Sequence, residues 1–235
     1  MAEPKSLFRK VRARLWEREA LLLPLPEVTW FPKTRLPLYV FEPRYRALVT
    51  DAERKRLPVA VVQLKHGWEL EQKQMPPIHH YCTFGRFVLL ERFLDGRFNV
   101  VLQGEHRCRI LEEKLSSRGY RKAWVKVEDL QVNVAAARHN YMRNHILDRI
   151  KAHFSEDALS LTVALKFAAE NSVDGLLYQL LQQVHFDAET KQQLLELPTL
   201  TALYREFIRL LKSVKHPPLS SMQLKQFPYL YLGHN

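Results

Sequence analysis

The sequence predicts an α+β fold, a small, partly open β-barrel followed by an α-helical bundle. Three observations carry that expectation. Residues 21–131 read as short apolar runs broken by prolines and turn residues. From about residue 135 the apolar residues recur at helical spacing. Early in the chain, Leu36–Asp51 reads as a strand that turns directly into a helix.

Residues 1–20 form a basic amphipathic segment. Lys5, Arg9, Lys10, Arg12, Arg14 and Arg18 surround an apolar stripe of Phe8, Val11, Leu15 and Trp16. Leu21–Leu25 and Val28–Phe31 are apolar and punctuated by prolines, as short edge strands are. Leu36, Leu38, Val40 and Phe41 supply the next strand. Pro43 then removes a donor and sets its own φ, which ends the strand and suits a first helical position. Glu42 is expected to cap that helix, favoured by the dipole, with Arg44 paired internally. Tyr45, Leu48 and Val49 share one helical face.

Pro58–Leu64 reads as a buried strand, and residues 65–79 as an irregular excursion. Thr83–Phe93 and Phe98–Gln103 flank Asp95-Gly96, a hairpin signal expected to form a type I′ turn. Gly104 marks a second turn or bulge. In His106–Ile110, alternation puts Cys108 and Ile110 inward and Arg107 and Arg109 together outward, with Arg97 near them on a paired strand. Ala123–Leu130 is the last strand, with Trp124, Lys126 and Glu128 on one face and Val125 and Val127 on the other.

The bundle is expected over 135–213. Met142, Ile146, Ile150 and Phe154 keep helical spacing, and Leu159, Val163 and Phe167 repeat it. Ser172, Asp187 and Thr199 are expected to cap the later helices. Residues 214–235 are an aromatic tail, with Phe227, Tyr229 and Tyr231, suited to docking on a surface.

The chain has 235 residues, a formal charge of +11 and a pI near 9.7. Such a balance suits acidic partners (nucleic acid, an anionic membrane surface or an acidic protein), or simply solubility. Cys82 and Cys108 are too few for a disulfide framework and read as small core residues in a reducing compartment. No secretory h-region or membrane-spanning run is present in the sequence, so a soluble, cytoplasmic protein is expected. Phosphate-loop, dinucleotide, nucleophile-elbow and zinc-protease motifs are absent from it. His79 and His80 are adjacent, which in extended chain points them to opposite faces and disfavours shared metal ligation.

Three groups of residues then carry a family resemblance. They are Leu23-Pro-Leu-Pro-Glu-Val-Thr-Trp-Phe-Pro32 with Leu36-Pro-Leu-Tyr-Val-Phe-Glu-Pro-Arg-Tyr45, Thr83-Phe-Gly-Arg-Phe87, and Leu94–Gly104 with Arg107–Ile110. Together they resemble the N-terminal, substrate-binding domain of Lon-type ATP-dependent proteases. Lys191-Gln-Gln-Leu-Leu-Glu196 resembles the bundle that follows there, and the likeness covers about residues 21–213. Cys82 and Lys33 stand where the family commonly has glycine.

The resemblance implies a PUA-like pseudo-β-barrel plus a helical bundle, without ATPase or protease domains. It further implies a non-catalytic module that binds unfolded or extended protein segments, working with a protease or chaperone. The sequence reading places a groove beside the corner. Phe41 and Tyr45 are its apolar walls, and Arg44, Arg107 and Arg109 orient acidic groups or backbone carbonyls. No residue is assigned a catalytic, cofactor or metal role. The alternative is a nucleic-acid-binding protein using a basic PUA-like barrel.

Overall fold

The structure, a computed structural model, describes residues 16–70, 75–132, 134–153, 172–184, 186–212 and 230–232. The chain divides into two compact units. Of the described residues, one unit holds those up to Trp30, Arg35–Asp129 and the strand Leu230–Leu232; the other holds Phe31–Thr34 and the helices after Leu130. The expected helices through Leu159, Val163 and Phe167, and most of the basic segment and aromatic tail, lie outside the described residues.

In the first unit the strands are β1 (Glu17–Leu25), β2 (Arg35–Val40), β3 (Val59–Gln63), β4 (Tyr81–Arg92), β5 (Phe98–Leu115), β6 (Arg121–Val127) and β7 (Leu230–Leu232). Helix α1 (Pro43–Lys55) lies between β2 and β3 in sequence. The strand order is β4-β3-β1-β6-β5-β2-β7, and β5 also pairs with β4. The extra pairing closes β4, β3, β1, β6 and β5 into a ring, with β2 and β7 added outside it.

Closure asks one strand to serve two neighbours in turn, and β5 does this over 18 residues. Its first half pairs with β2 and β4, its second half with β4 and then β6. Bulges let the strands bend this far. The register jumps at Phe84/Gly85, leaving Glu105 extra, at Phe87/Leu89 around Val88, and at Ile110/Glu112 around Leu111. Val88 and Leu111 are exposed because they are extra residues rather than members of the alternating face. Gly104 thus sits at a bulge inside one continuous strand, not at a turn between two. Gly85 faces the same irregularity: a Cβ there would lie 1.8 Å from the Gln103 carbonyl oxygen and 2.9 Å from the Trp30 ring.

Two apolar clusters follow from the alternation. Ala20, Leu22, Ala60, Val62, Cys82, Phe84, Cys108, Ile110, Ala123 and Val125 come from all five ring strands and fill the barrel. The intervening residues of β1 and β3, Leu21, Leu23, Val59 and Val61, pack with Tyr45, Leu48, Val49 and Ala52 of α1. All five β3 residues are buried, as a strand covered on both faces should be. The two thiols face each other across β4 and β5 at 3.3 Å, fully buried.

The corner forms as the proline predicts. Pro43 begins α1, and the Glu42 carbonyl accepts from the Tyr45 and Arg46 amides. The Glu42 side chain makes no capping bond; Arg44 draws it away at 2.8 Å. The Asp95-Gly96 hairpin forms, but only Gly96 has positive φ, +82°. The Gly96 amide donates to Phe93 O, so the loop is a turn followed by a left-handed glycine rather than type I′.

A buried carboxylate ties α1 to the β5–β6 turn. Asp51, 2% exposed, accepts from the Tyr120 hydroxyl at 2.6 Å, Arg118 at 2.7 Å and Arg54 at 3.2 Å. The Tyr120 hydrogen bond, with the Arg118 contact, holds its carboxyl below the ordinary 3.8 against the opposing effect of burial. Burial, then Asp51, pushes the Tyr120 phenol up to about 12.

In the second unit the helices are α2 (Ala136–His153), α3 (Val173–Gln183), α4 (Ala188–Glu196) and α5 (Leu200–Leu211). Met142, Ile146, Ile150, Leu176, Leu177, Leu180, Leu181, Leu203 and Phe207 form its core. Asp187 and Thr199 cap α4 and α5 by accepting from the Thr190 and Ala202 amides. Ser172 occupies the N-cap position of α3, but its hydroxyl accepts from Lys33 instead of capping.

Val28–Phe31 is not a strand. Phe31 belongs to the helical core and stacks on Tyr178 at 5.8 Å. The turn after it needs Lys33 at φ +61°, where a non-glycine residue costs about 1 kcal/mol. Lys33 is held there by Asp174 at 2.6 Å and by Gln179, which donates to its carbonyl at 2.6 Å. The apolar residues of 28–31 serve packing rather than a ladder: Trp30 and Val28 belong with the cluster beneath α1, Phe31 with the helical core.

Two outcomes are expected. Gly85→Ala forces a Cβ into backbone and lowers unfolding free energy by about 3 kcal/mol, read by urea denaturation. Because Asp51 is depressed in the fold, its contribution is present above the unfolded carboxylate value and is lost as pH falls through the folded one. Asp51→Asn therefore destabilises by about 2 kcal/mol at pH 7, and the gap from wild type narrows below about pH 4. A gap that stays constant from pH 7 to pH 2 contradicts this.

Candidate functional site

The five residues singled out in sequence separate into two places. Phe41, Arg44 and Tyr45 lie at the β2–α1 corner, where Val40 pairs with Phe98 at the start of β5. Arg107 and Arg109 lie in the second half of β5, opposite Thr83 and Tyr81. Arg97 immediately precedes β5 and sits at the corner end, not with the other two arginines. A single groove holding all five is not formed.

Tyr45 is not a groove wall. It is 6% exposed, packs in the core beneath α1 and donates to Pro24 O at 3.4 Å. Burial raises its phenol above the ordinary value. Arg44 spans Glu42 and the Tyr45 ring, whose centroid is 4.5 Å from its guanidinium carbon. Both residues are explained by the corner they build.

Arg107 lies on the outer face as expected but is not open to solvent. It is 4% exposed, lies over the Tyr81 ring at 5.3 Å and donates through Nε to Glu128 O at 2.5 Å. Alternation holds, with Cys108 and Ile110 in the barrel and Arg107 and Arg109 on the other face, but residues 128–129 lie over Arg107, whose amide donates to Asp129 Oδ1 at 3.1 Å. Arg109 and Lys126 both reach Glu128 Oε1, at 3.2 and 3.0 Å, and the Tyr81 hydroxyl donates to Oε2 at 3.0 Å. Burial pushes the Glu128 carboxyl up, but these three partners outweigh it and hold it low. This end of the barrel is a neutralised network.

The corner end differs. Tyr39, Phe41, Arg46, Asp95 and Arg97 line an open concavity of about 450 Å³. Leu38 and Val40 point into the core, so Tyr39 between them must face out. Its ring meets Phe41 at 5.9 Å and Phe93 edge-on at 6.3 Å, and Arg97 lies over it at 5.4 Å. Arg97 also holds Asp95, and that hydrogen bond keeps the Asp95 carboxyl low. Arg46 lies against Gly96, where a Cβ would come within 2.0 Å of its Nη2. Two guanidiniums thus flank one carboxylate beside three aromatic rings. The hairpin next to them exposes Leu89 and, fully, Leu94.

Such a surface can hold apolar or aromatic side chains and an acidic group or carbonyl. Phe41 is the one residue shared with the five-residue groove expected from sequence, and Arg97, expected beside Arg107 and Arg109, lies here instead. Tyr39 was legible as the outward member of β2; Asp95 was visible only as a turn residue. Among the described residues no three His, Cys, Asp or Glu side chains gather as a metal requires, and no helix is long and apolar enough to cross a membrane.

The contrast between the two ends is testable. Arg107→Glu is expected to lower unfolding free energy by about 2 kcal/mol or more, because it buries an unpaired charge. Arg97→Glu, on an exposed surface, is expected to change it by under about 0.5 kcal/mol. Thermal melts of both variants check this.

The model of the ATP-dependent protease La (LON) substrate-binding domain matches residues 19–213. Among solved structures, the fold is similar to a Lon N-terminal domain protein from Xanthomonas campestris, with TM-score 0.59 and 19% identity, covering 84% of this chain and 99% of that one. It is also similar to the N-terminal domain of a Mycobacterium avium complex Lon protease, with TM-score 0.64 and 14% identity, covering 84% of this chain and 100% of that one. A search of curated protein sequences finds no match. With the family model spanning the barrel and the described helices alike, the chain belongs to the Lon substrate-binding domain family.

Proposed function

We propose that this protein is a non-catalytic recognition module for unfolded or extended segments of other proteins. The concavity at the β2–α1 corner is its contact surface. The observation that carries this is the outward cluster of Tyr39, Phe41 and Phe93 with Arg46 and Arg97 beside it. Aromatic and arginine side chains are the groups that dominate protein contact energies, and here they sit on β2 and the residue after it, α1 and the β4–β5 hairpin, half-buried or exposed rather than in a core. Membership of a family defined by substrate binding points the same way. Captured segments would pass to a protease or chaperone acting with this protein. The setting we assign is the cytoplasm, where the Cys82 and Cys108 thiols would stay reduced.

Nucleic-acid binding is the weaker reading despite the +11 charge. Many barrel arginines already hold carboxylates: Arg44 with Glu42, Arg92 with Glu53, Arg97 with Asp95, Arg109 with Glu128, Arg118 with Asp51 and Arg121 with Glu113. They do not make the unpaired stripe that phosphates need.

The test uses fluorescein-labelled α-lactalbumin, reduced and carboxymethylated so that it stays unfolded, read by anisotropy. Wild-type protein is expected to bind it and to leave the native form unbound. Tyr39→Ala with Arg97→Glu is expected to weaken binding about tenfold or more with little change in melting temperature. Equal binding by the double variant, or a steep loss of binding with salt that is matched by labelled RNA, contradicts the reading.

A further inference from the structure

Cys82 and Cys108 take no part in the contact surface, yet the fold places them for chemistry of their own. They are the two cysteines of the chain, and they are direct partners on β4 and β5, between the pairs Thr83↔Arg107 and Tyr81↔Arg109. The Ile110 amide donates to His80 O at 2.8 Å, two residues along both strands. Cys82 and Cys108 are therefore a pair whose backbones exchange hydrogen bonds, with Cα atoms about 5.5 Å apart. That is a separation disulfides commonly span. Both side chains belong to the barrel interior, and their sulfurs are 3.3 Å apart. A bond of about 2.05 Å is reached by small side-chain movements, with the strand register kept.

The reduced pair is quiet at rest. Burial, and then the neighbouring Cys82, push the Cys108 thiol well above its ordinary value, so at neutral pH it stays protonated. The thiolate is the reactive form, and a protonated buried thiol resists oxidants.

We propose that Cys82 and Cys108 are an oxidation site, where a small peroxide converts the two thiols into one intramolecular disulfide that clamps β4 to β5. A local opening of the ladder admits the peroxide and lets one thiol ionise. That thiolate attacks a peroxide oxygen. The O–O bond breaks, leaving a sulfenic acid and a hydroxide that takes the thiol's proton as water. The second sulfur then attacks the sulfenic sulfur from contact distance. The S–O bond breaks, and hydroxide leaves with the second thiol's proton as water. Two thiols and one peroxide become one disulfide and two waters; sulfur is oxidised and peroxide oxygen reduced.

The new bond closes a loop through the β4–β5 hairpin, which restricts the unfolded chain and stabilises the fold. The site lies at the start of β4 and in the second half of β5, away from Phe93, Asp95 and Arg97 beside the hairpin loop. The inference is therefore independent of the client-binding reading.

The experiment treats the folded full chain with hydrogen peroxide. Free thiols are titrated after denaturation, linked peptides are mapped without reduction, and melting is compared with the same sample after dithiothreitol. Wild type is expected to lose both thiols, to yield the Cys82 and Cys108 peptides joined, and to melt about 5 °C higher than after reduction. Cys82→Ala and Cys108→Ala are each expected to show no melting difference that dithiothreitol removes. Thiols that survive in the folded chain, under an exposure that oxidises the same chain in urea, overturn the inference. So does a product linked between two chains, oxidation of either cysteine to sulfinic acid in place of the bond, or a disulfide form that melts no higher than the reduced one.

Discussion

The rest of the barrel unit depends on the double pairing of β5. One 18-residue strand must meet β4 along its first half and hand over to β6 in its second. A flat strand cannot do this, so the chain spends bulges at Glu105, Val88 and Leu111, and a glycine at position 85 where backbone and the Trp30 ring come too close for a side chain. Once the ring is closed, the alternation of β1 and β3 divides their side chains between the barrel interior and the face under α1. The helix is then fixed by its apolar stripe and by Asp51, a charge that three donors keep ionised where an unpaired one would be expelled. Closure also uses up most edges. β2 is attached outside the ring and pairs with β5 on one side and, among the described residues, with β7 on the other.

The barrel-plus-bundle architecture was legible because its signals are local. Pro43 ends β2 and starts α1, Asp187 and Thr199 cap their helices, and Phe98, Val100 and Leu102 alternate inward as written. What escaped the sequence was set by tertiary context. Val28–Phe31 has strand composition, yet Phe31 is recruited to the helical core and Lys33 takes a left-handed conformation that its side-chain partners support. Nothing in the sequence distinguishes Asp51 from any other acid on a helix. Only the arrival of Tyr120 and Arg118 makes it a buried anchor.

The functional surface was half legible for the same reason. Arginines on a strand were read as outward by alternation. The returning chain at Glu128 and Asp129 covers Arg107 and neutralises Arg109. At the corner, Tyr45 and Arg44 are consumed by the turn itself. The residues left over, Tyr39, Phe41, Arg46 and Arg97, are held in place by β2 and the hairpin yet turned away from the core, which is the condition for a preorganised contact surface.

The measurement that most directly tests this account is an amide-exchange footprint of the wild-type chain, free and saturated with a permanently unfolded protein. The account predicts added protection confined to Tyr39–Arg46 and the Phe93–Arg97 turn, with the β5 segment around Arg107 and Arg109 unchanged. Protection that appears instead around Arg107–Arg109, or only in the helices from Ala136 onward, would contradict it.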